Sequence, residues 1–215
     1  MEGSSINIAP GKQAPPISRL NKARNTAAYQ LTRPAVWLLA RTPVTPNAIS
    51  WFGFALFAIA ATLVVTEHLL AAGLMVLFAG LFDMLDGALA RRTNRVTRFG
   101  AILDSTLDRI TEALLLLGIL ILFAREQSMV GIVLTGIALP GSLMVSYIRA
   151  RAEAAGLECK VGLGTRGERV IILALGLLLN RVNYALIAAL GIITLLSLFT
   201  IGQRMIFVWQ QTKND

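Results

Sequence analysis

Four aspartates within one short stretch carry most of the chemistry open to this sequence. The stretch runs from Phe82 to Asp108 and reads FDMLDGALARRTNRVTRFGAILDSTLD; its carboxylates are Asp83, Asp86, Asp104 and Asp108. They lie at the ends of two long apolar segments. Four like charges there repel, and acids in membrane segments are functional by default. A cation must hold them. The donors are all oxygen, with no local Cys or His, which selects Mg²⁺, Mn²⁺ or Ca²⁺ rather than zinc. Spacing agrees: Asp83 and Asp86 are three apart and Asp104 and Asp108 four apart, so each pair shares one helix face. If the two helices are antiparallel neighbours, both pairs point into one gap. Gly87 and Gly100 remove side chains where a ligand or a neighbouring helix comes close, and Arg91, one turn beyond Gly87, can reach a phosphate as a multidentate donor. Carboxylates, a metal, a glycine gap and an arginine together read as a pyrophosphate site at a membrane surface. The reaction would be displacement at phosphorus, with one carboxylate left to accept the nucleophile's proton.

The elements that must position these groups are membrane helices. The chain has 215 residues, is 55% hydrophobic and 15% charged, and has a mean hydropathy of +0.67. That composition excludes a soluble domain. We expect an all-α integral membrane protein with six spans, at about 47–66, 69–91, 100–124, 128–152, 167–180 and 183–209. The fifth is the weakest by length, and Pro140-Gly141 should bend the fourth. Residues 1–17 are Gly/Pro/Ser-rich and read as a flexible tail, with no cleavable signal peptide. Residues 18–42 mix Leu20, Tyr29, Trp37 and Leu38 with Arg19, Lys22, Arg24, Arg33 and Arg41, as an interfacial amphipathic helix broken near Pro34 would. Residues 43–215 then form the membrane domain.

Charge sets the orientation. Of 20 Lys and Arg, 17 fall in the termini and alternate loops of one side, against Arg125 and Arg181 on the other. The positive-inside rule places both termini, and the acidic site, on the cytoplasmic face of the plasma membrane. The same rule and anionic headgroups account for the net charge of +8 without nucleic acid. The single cysteine, Cys159, rules out an intramolecular disulfide. A cation transporter would also use acids, but at the bilayer midplane, whereas these cluster at one interface.

The run Asp83-x-x-Asp86-Gly87-x-x-Ala90-Arg91, eight residues, Gly100-x-x-x-Asp104-x-x-x-Asp108 resembles the signature of the CDP-alcohol phosphotransferase family at every position. The resemblance extends over about residues 44 to 180, including Thr45-Pro46-Asn47. It implies a six-helix enzyme, usually a homodimer, that moves a phosphatidyl-type group from a CDP-linked lipid to an alcohol and releases CMP. By position it implies Asp83, Asp86, Asp104 and Asp108 as ligands of Mg²⁺ or Mn²⁺, with Asp108 also the general base. Pro46, Asn47, Gly87, Arg91 and Thr97 would contact the CDP moiety.

The acceptor is suggested by two further stretches. Asp104-Ser-Thr-Leu-Asp108-Arg109 is similar to the inositol-phosphate-using members. Ser146-Tyr-Ile-Arg149-Ala-Arg151-Ala-Glu153 followed by Arg166-Gly-Glu-Arg169 resembles their acceptor segment, although Thr165-Arg166 stands where the family commonly has Glu-Arg. Arg149, Arg166 and Arg169 would form a basic pocket for a phosphomonoester at the cytoplasmic mouth.

Overall fold

The helices begin where the sequence offers caps. In the computed structural model, which describes residues 34–159 and 161–213, six of them follow a helical segment at 34–39. They are α1 (Pro46–Val65), α2 (Leu69–Arg92), α3 (Arg98–Arg125), α4 (Met129–Ala154), α5 (Arg166–Leu178) and α6 (Ala185–Thr212). Thr45 caps α1 by accepting from Ala48 N at 3.3 Å, with Pro46 in the first turn. Thr97 caps α3 from Gly100 N at 2.9 Å, and Thr165 with Glu168 makes the capping box of α5. Short turns join α1 to α2 and α3 to α4, each passing through a left-handed residue, Glu67 and Gln127.

Each predicted span coincides with one helix. There is no strand among the described residues. Four helices, α1, α2, α4 and α6, are long and apolar enough to cross a membrane. The other two differ for physical reasons. The first fifteen residues of α3 carry Arg98, Asp104, Asp108, Arg109 and Glu112. Helix α5 has 13 residues, which rise only about 20 Å. Pro140 lies inside α4, which continues through it. The tail and residues 18–33 lie outside the described residues. In the part that is described, Val36 is buried against Ile49, Leu85 and Leu89, while Trp37 and Leu38 are exposed.

The six helices close into a ring. Helix α1 packs on α2, α2 on α5, α5 on α6, α6 on α4, α4 on α3, and α3 back on α1. Helices α2 and α3, expected to be direct neighbours, are not principal packing partners: both lie against α1. Small residues make this possible. A Cβ on Gly118 would come 3.0 Å from the Ala61 carbonyl oxygen, and one on Gly73 2.8 Å from Leu178. Close backbone approach of this kind drives helix association where lipid removes the hydrophobic incentive. Phe57, Ala60, Val64, Val76, Leu115, Leu116 and Ile119 fill the resulting core. The outer faces stay apolar: Leu74, Phe78, Val133 and Leu195 are all exposed, as a lipid-facing belt requires. Gly118→Val should therefore wedge α3 off α1 and cost ~1–3 kcal/mol, read as a lower Tm of the protein in detergent.

Candidate active site

Asp83 projects from α2, and Asp104 and Asp108 from α3. Each offers a carboxylate oxygen, and all three oxygens lie within 4.8 Å of one another. Two unit charges about 4 Å apart repel by about 4 kcal/mol near a protein surface. Arg166, the first residue of α5, offsets part of this. Its Nη1 donates to Asp83 Oδ2 and lies 2.6 Å from Asp108 Oδ1, and Nη2 donates to Thr111 Oγ1 at 3.0 Å. The Arg166 guanidinium stacks over the Phe57 ring at 5.7 Å. Asp86, one turn along α2 from Asp83, has hydrogen-bond partners of its own. Its Oδ2 accepts from Ser50 Oγ on α1 at 2.5 Å, and its Oδ1 accepts from the Gly87 N–H at 2.5 Å.

Three carboxylates with one guanidinium leave a local charge of minus two. The donors are all hard carboxylate oxygens. A divalent oxygen-seeking cation fits both facts.

Two cavities meet at this cluster. One, of about 290 Å³, is lined by Pro46, Asn47, Gly87, Arg91 and Thr97, together with Ser50 and Asp86. It thus gathers every residue expected to contact a CDP moiety. Gly100 is needed there: a Cβ would fall 2.9 Å from Thr97 Oγ1 and 3.2 Å from Asn47 Oδ1. The second, of about 460 Å³, is lined by Asp108, Arg149, Arg166 and Arg169, with Arg109 and Arg204. Asp104 lines both.

The three expected phosphate-binding arginines share this second cavity but not one environment. Arg149 is half exposed and paired with Glu153 at 2.8 Å, one turn along α4. Arg166 faces the aspartates. Arg169 is 1% exposed and fully engaged: Nε and Nη2 donate to Glu112 at 2.6 and 2.7 Å, and Nη1 to the Gly164 carbonyl at 2.5 Å.

Several cavity residues escaped the sequence reading. Glu112 extends the four-residue spacing of Asp104 and Asp108, a signal that was available. Arg204 is a cation inside an apolar helix, also a signal. It donates to the Val161 carbonyl at 2.9 Å and to the Val145 carbonyl. Ser50 carried none.

An acidic cluster at the ends of apolar helices, joining a glycine-floored cavity to an arginine-walled one, defines a membrane-embedded enzyme of phosphoryl-group transfer. The CDP-alcohol phosphatidyltransferase family model matches residues 43–208, and the chain belongs to that family. Among its relatives is the archaetidylinositol phosphate synthase of Methanothermobacter thermautotrophicus, 38% identical over 175 residues, which span 80% of this chain and 87% of that one. The phosphatidylinositol phosphate synthase of Mycobacterium tuberculosis with CDP-DAG bound superposes with a TM-score of 0.78 at 36% identity, over 84% of this chain and 94% of that one. The same enzyme in complex with manganese and citrate gives 0.75 at 36% identity, over 83% and 88%.

The geometry sets two expectations for divalent binding, readable by Mn²⁺ titration with electron paramagnetic resonance. Asp104→Asn should lose most of the binding. Ser50→Ala, which frees the Asp86 carboxylate, should weaken it by roughly 10-fold, as loss of an orienting partner does.

Proposed function

We propose that this protein transfers the phosphatidyl-type group of a CDP-linked lipid to inositol phosphate and releases CMP. The observation that carries the reading is the meeting of the two cavities at Asp104, beside Asp108. The names of the relatives support the acceptor, and so does the arginine wall. In this reading the cytidine diphosphate of the donor lies among Pro46, Asn47, Gly87, Arg91 and Thr97. Its lipid tails stay in the bilayer.

Asp83, Asp86, Asp104 and Asp108 would hold the divalent cation, Mg²⁺ or Mn²⁺, which when bound supplies neutralisation of pyrophosphate charge. The chain's own residues do the rest. Arg149, Arg166 and Arg169, which line the larger cavity, bind the acceptor's phosphate as charge-assisted donors. Arg166 also touches Asp108, so a phosphate anchored there brings its alcohol close to the carboxylate. Asp108 takes the hydroxyl proton as the oxygen attacks the lipid-proximal phosphorus. A P–O bond forms to the acceptor, the P–O bond to CMP breaks, and CMP departs. Holding both substrates across one cluster supplies proximity.

The surrounding assignment follows from the same reading. Residues 43–215 form the membrane domain. All six helices span, α3 and α5 with their polar first turns at the cytoplasmic face of the plasma membrane. The enzyme acts as a homodimer.

Purified protein with CDP-diacylglycerol, Mg²⁺ and a panel of inositol phosphate, inositol, glycerol 3-phosphate and serine tests the reading. CMP should appear with inositol phosphate, and chelation with EDTA should stop it. CMP release with another acceptor alone would reject the substrate assignment. Asp108→Asn should abolish CMP release while CDP-lipid still binds, and Arg166→Lys should raise the acceptor KM far more than the donor KM, since Lys lacks the bidentate fork.

A further inference from the structure

We propose that Trp37, Arg41 and Arg92 form a binding site for the anionic headgroup of a bilayer phospholipid, apart from the active site. The inference does not depend on the transferase chemistry. A groove of about 720 Å³ is lined by Pro34, Trp37, Leu38 and Arg92. It shares no lining residue with either cavity of the active site. The Arg41 guanidinium lies over the Trp37 ring at 3.5 Å, which brings a second cation to the edge of the groove.

The groove sits at the right depth for a headgroup. The helical segment at 34–39 lays Val36 on Ile49, Leu85 and Leu89, near the ends of α1 and α2 beside the acidic site. Its other face is open: Trp37 is 45% and Leu38 62% exposed. A tryptophan and a leucine turned outward at the end of the bundle, next to two arginines, match the level where acyl chains give way to headgroups.

Charge decides what the groove takes. Residues 3–66 hold six Lys or Arg and no acid, and residues 87–103 hold four and no acid. The segment 149–169, at the same end of the bundle, mixes five Lys or Arg with three glutamates. There Arg149 pairs with Glu153, and Arg169 with Glu112. Among the described residues, Arg41 and Arg92 have no carboxylate partner. Membrane topology needs cations but not the exclusion of acids, because Asp and Glu count little toward it. Binding an anion is served by both. Unpaired guanidiniums beside an apolar groove fit a phosphodiester whose chains lie along Trp37 and Leu38. A soluble phosphate has no use for those two side chains.

The test uses the full chain with Trp37 as its one tryptophan, made by Trp51→Phe and Trp209→Phe, in phosphatidylcholine nanodiscs. Phosphatidylglycerol or phosphatidylcholine with brominated chains is added as a minor component, and quenching of Trp37 fluorescence is compared. Phosphatidylglycerol should quench at the lower concentration. Arg41→Gln and Arg92→Gln should each reduce that preference by about fivefold. Arg151→Gln, at an exposed position of the mixed segment, should leave it unchanged. Equal quenching by the two lipids overturns the proposal. So does an equal loss in Arg151→Gln, which would make the preference a matter of net charge. Displacement by inorganic phosphate at matched ionic strength also overturns it, because the ligand is then a soluble anion and not a bilayer lipid.

Discussion

Everything in this protein is built around carboxylates that repel one another and are nonetheless held together. Asp83, Asp104 and Asp108 converge within 4.8 Å, and one guanidinium, that of Arg166, bridges two of them. Such a cluster is tolerable only if its charge is offset and its backbone cannot relax. The ring of helices supplies the second condition. Close contacts at Gly118 and Gly73 seat α3 on α1 and α2 on α5.

Helix α1 has a second role beyond packing. It lies against both α2 and α3, and the smaller cavity is lined from all three helices. Ser50 reaches from α1 to Asp86, so the helix that packs on both α2 and α3 also orients one of the acids. Capping matters for the same reason. Thr97 and Thr165 start α3 and α5 just before Asp104 and at Arg166, and a shift of either start would rotate the functional faces.

The comparisons and the geometry complement each other. Membership of the CDP-alcohol phosphatidyltransferase family establishes the type of enzyme. The geometry divides its polar residues between two cavities and separates arginines that sequence alone treats as equivalent. Arg149, Arg166 and Arg169 all line the larger cavity, yet one pairs with a half-exposed Glu153, one with the aspartates and one with a buried Glu112.

The sequence by itself determined the helices and the identity of the acids. Hydropathy, capping residues and the three- and four-residue spacings are local properties, so each of the six helices could be placed, and Asp83, Asp86, Asp104 and Asp108 could be singled out. Only the tertiary structure decided that α1 stands between α2 and α3, that Asp86 turns to Ser50, and that Arg169 belongs to Glu112. These are choices among buried charges brought together from distant parts of the chain. They depend on how helices pack across a ring, and no spacing along one helix encodes which partner another helix will present.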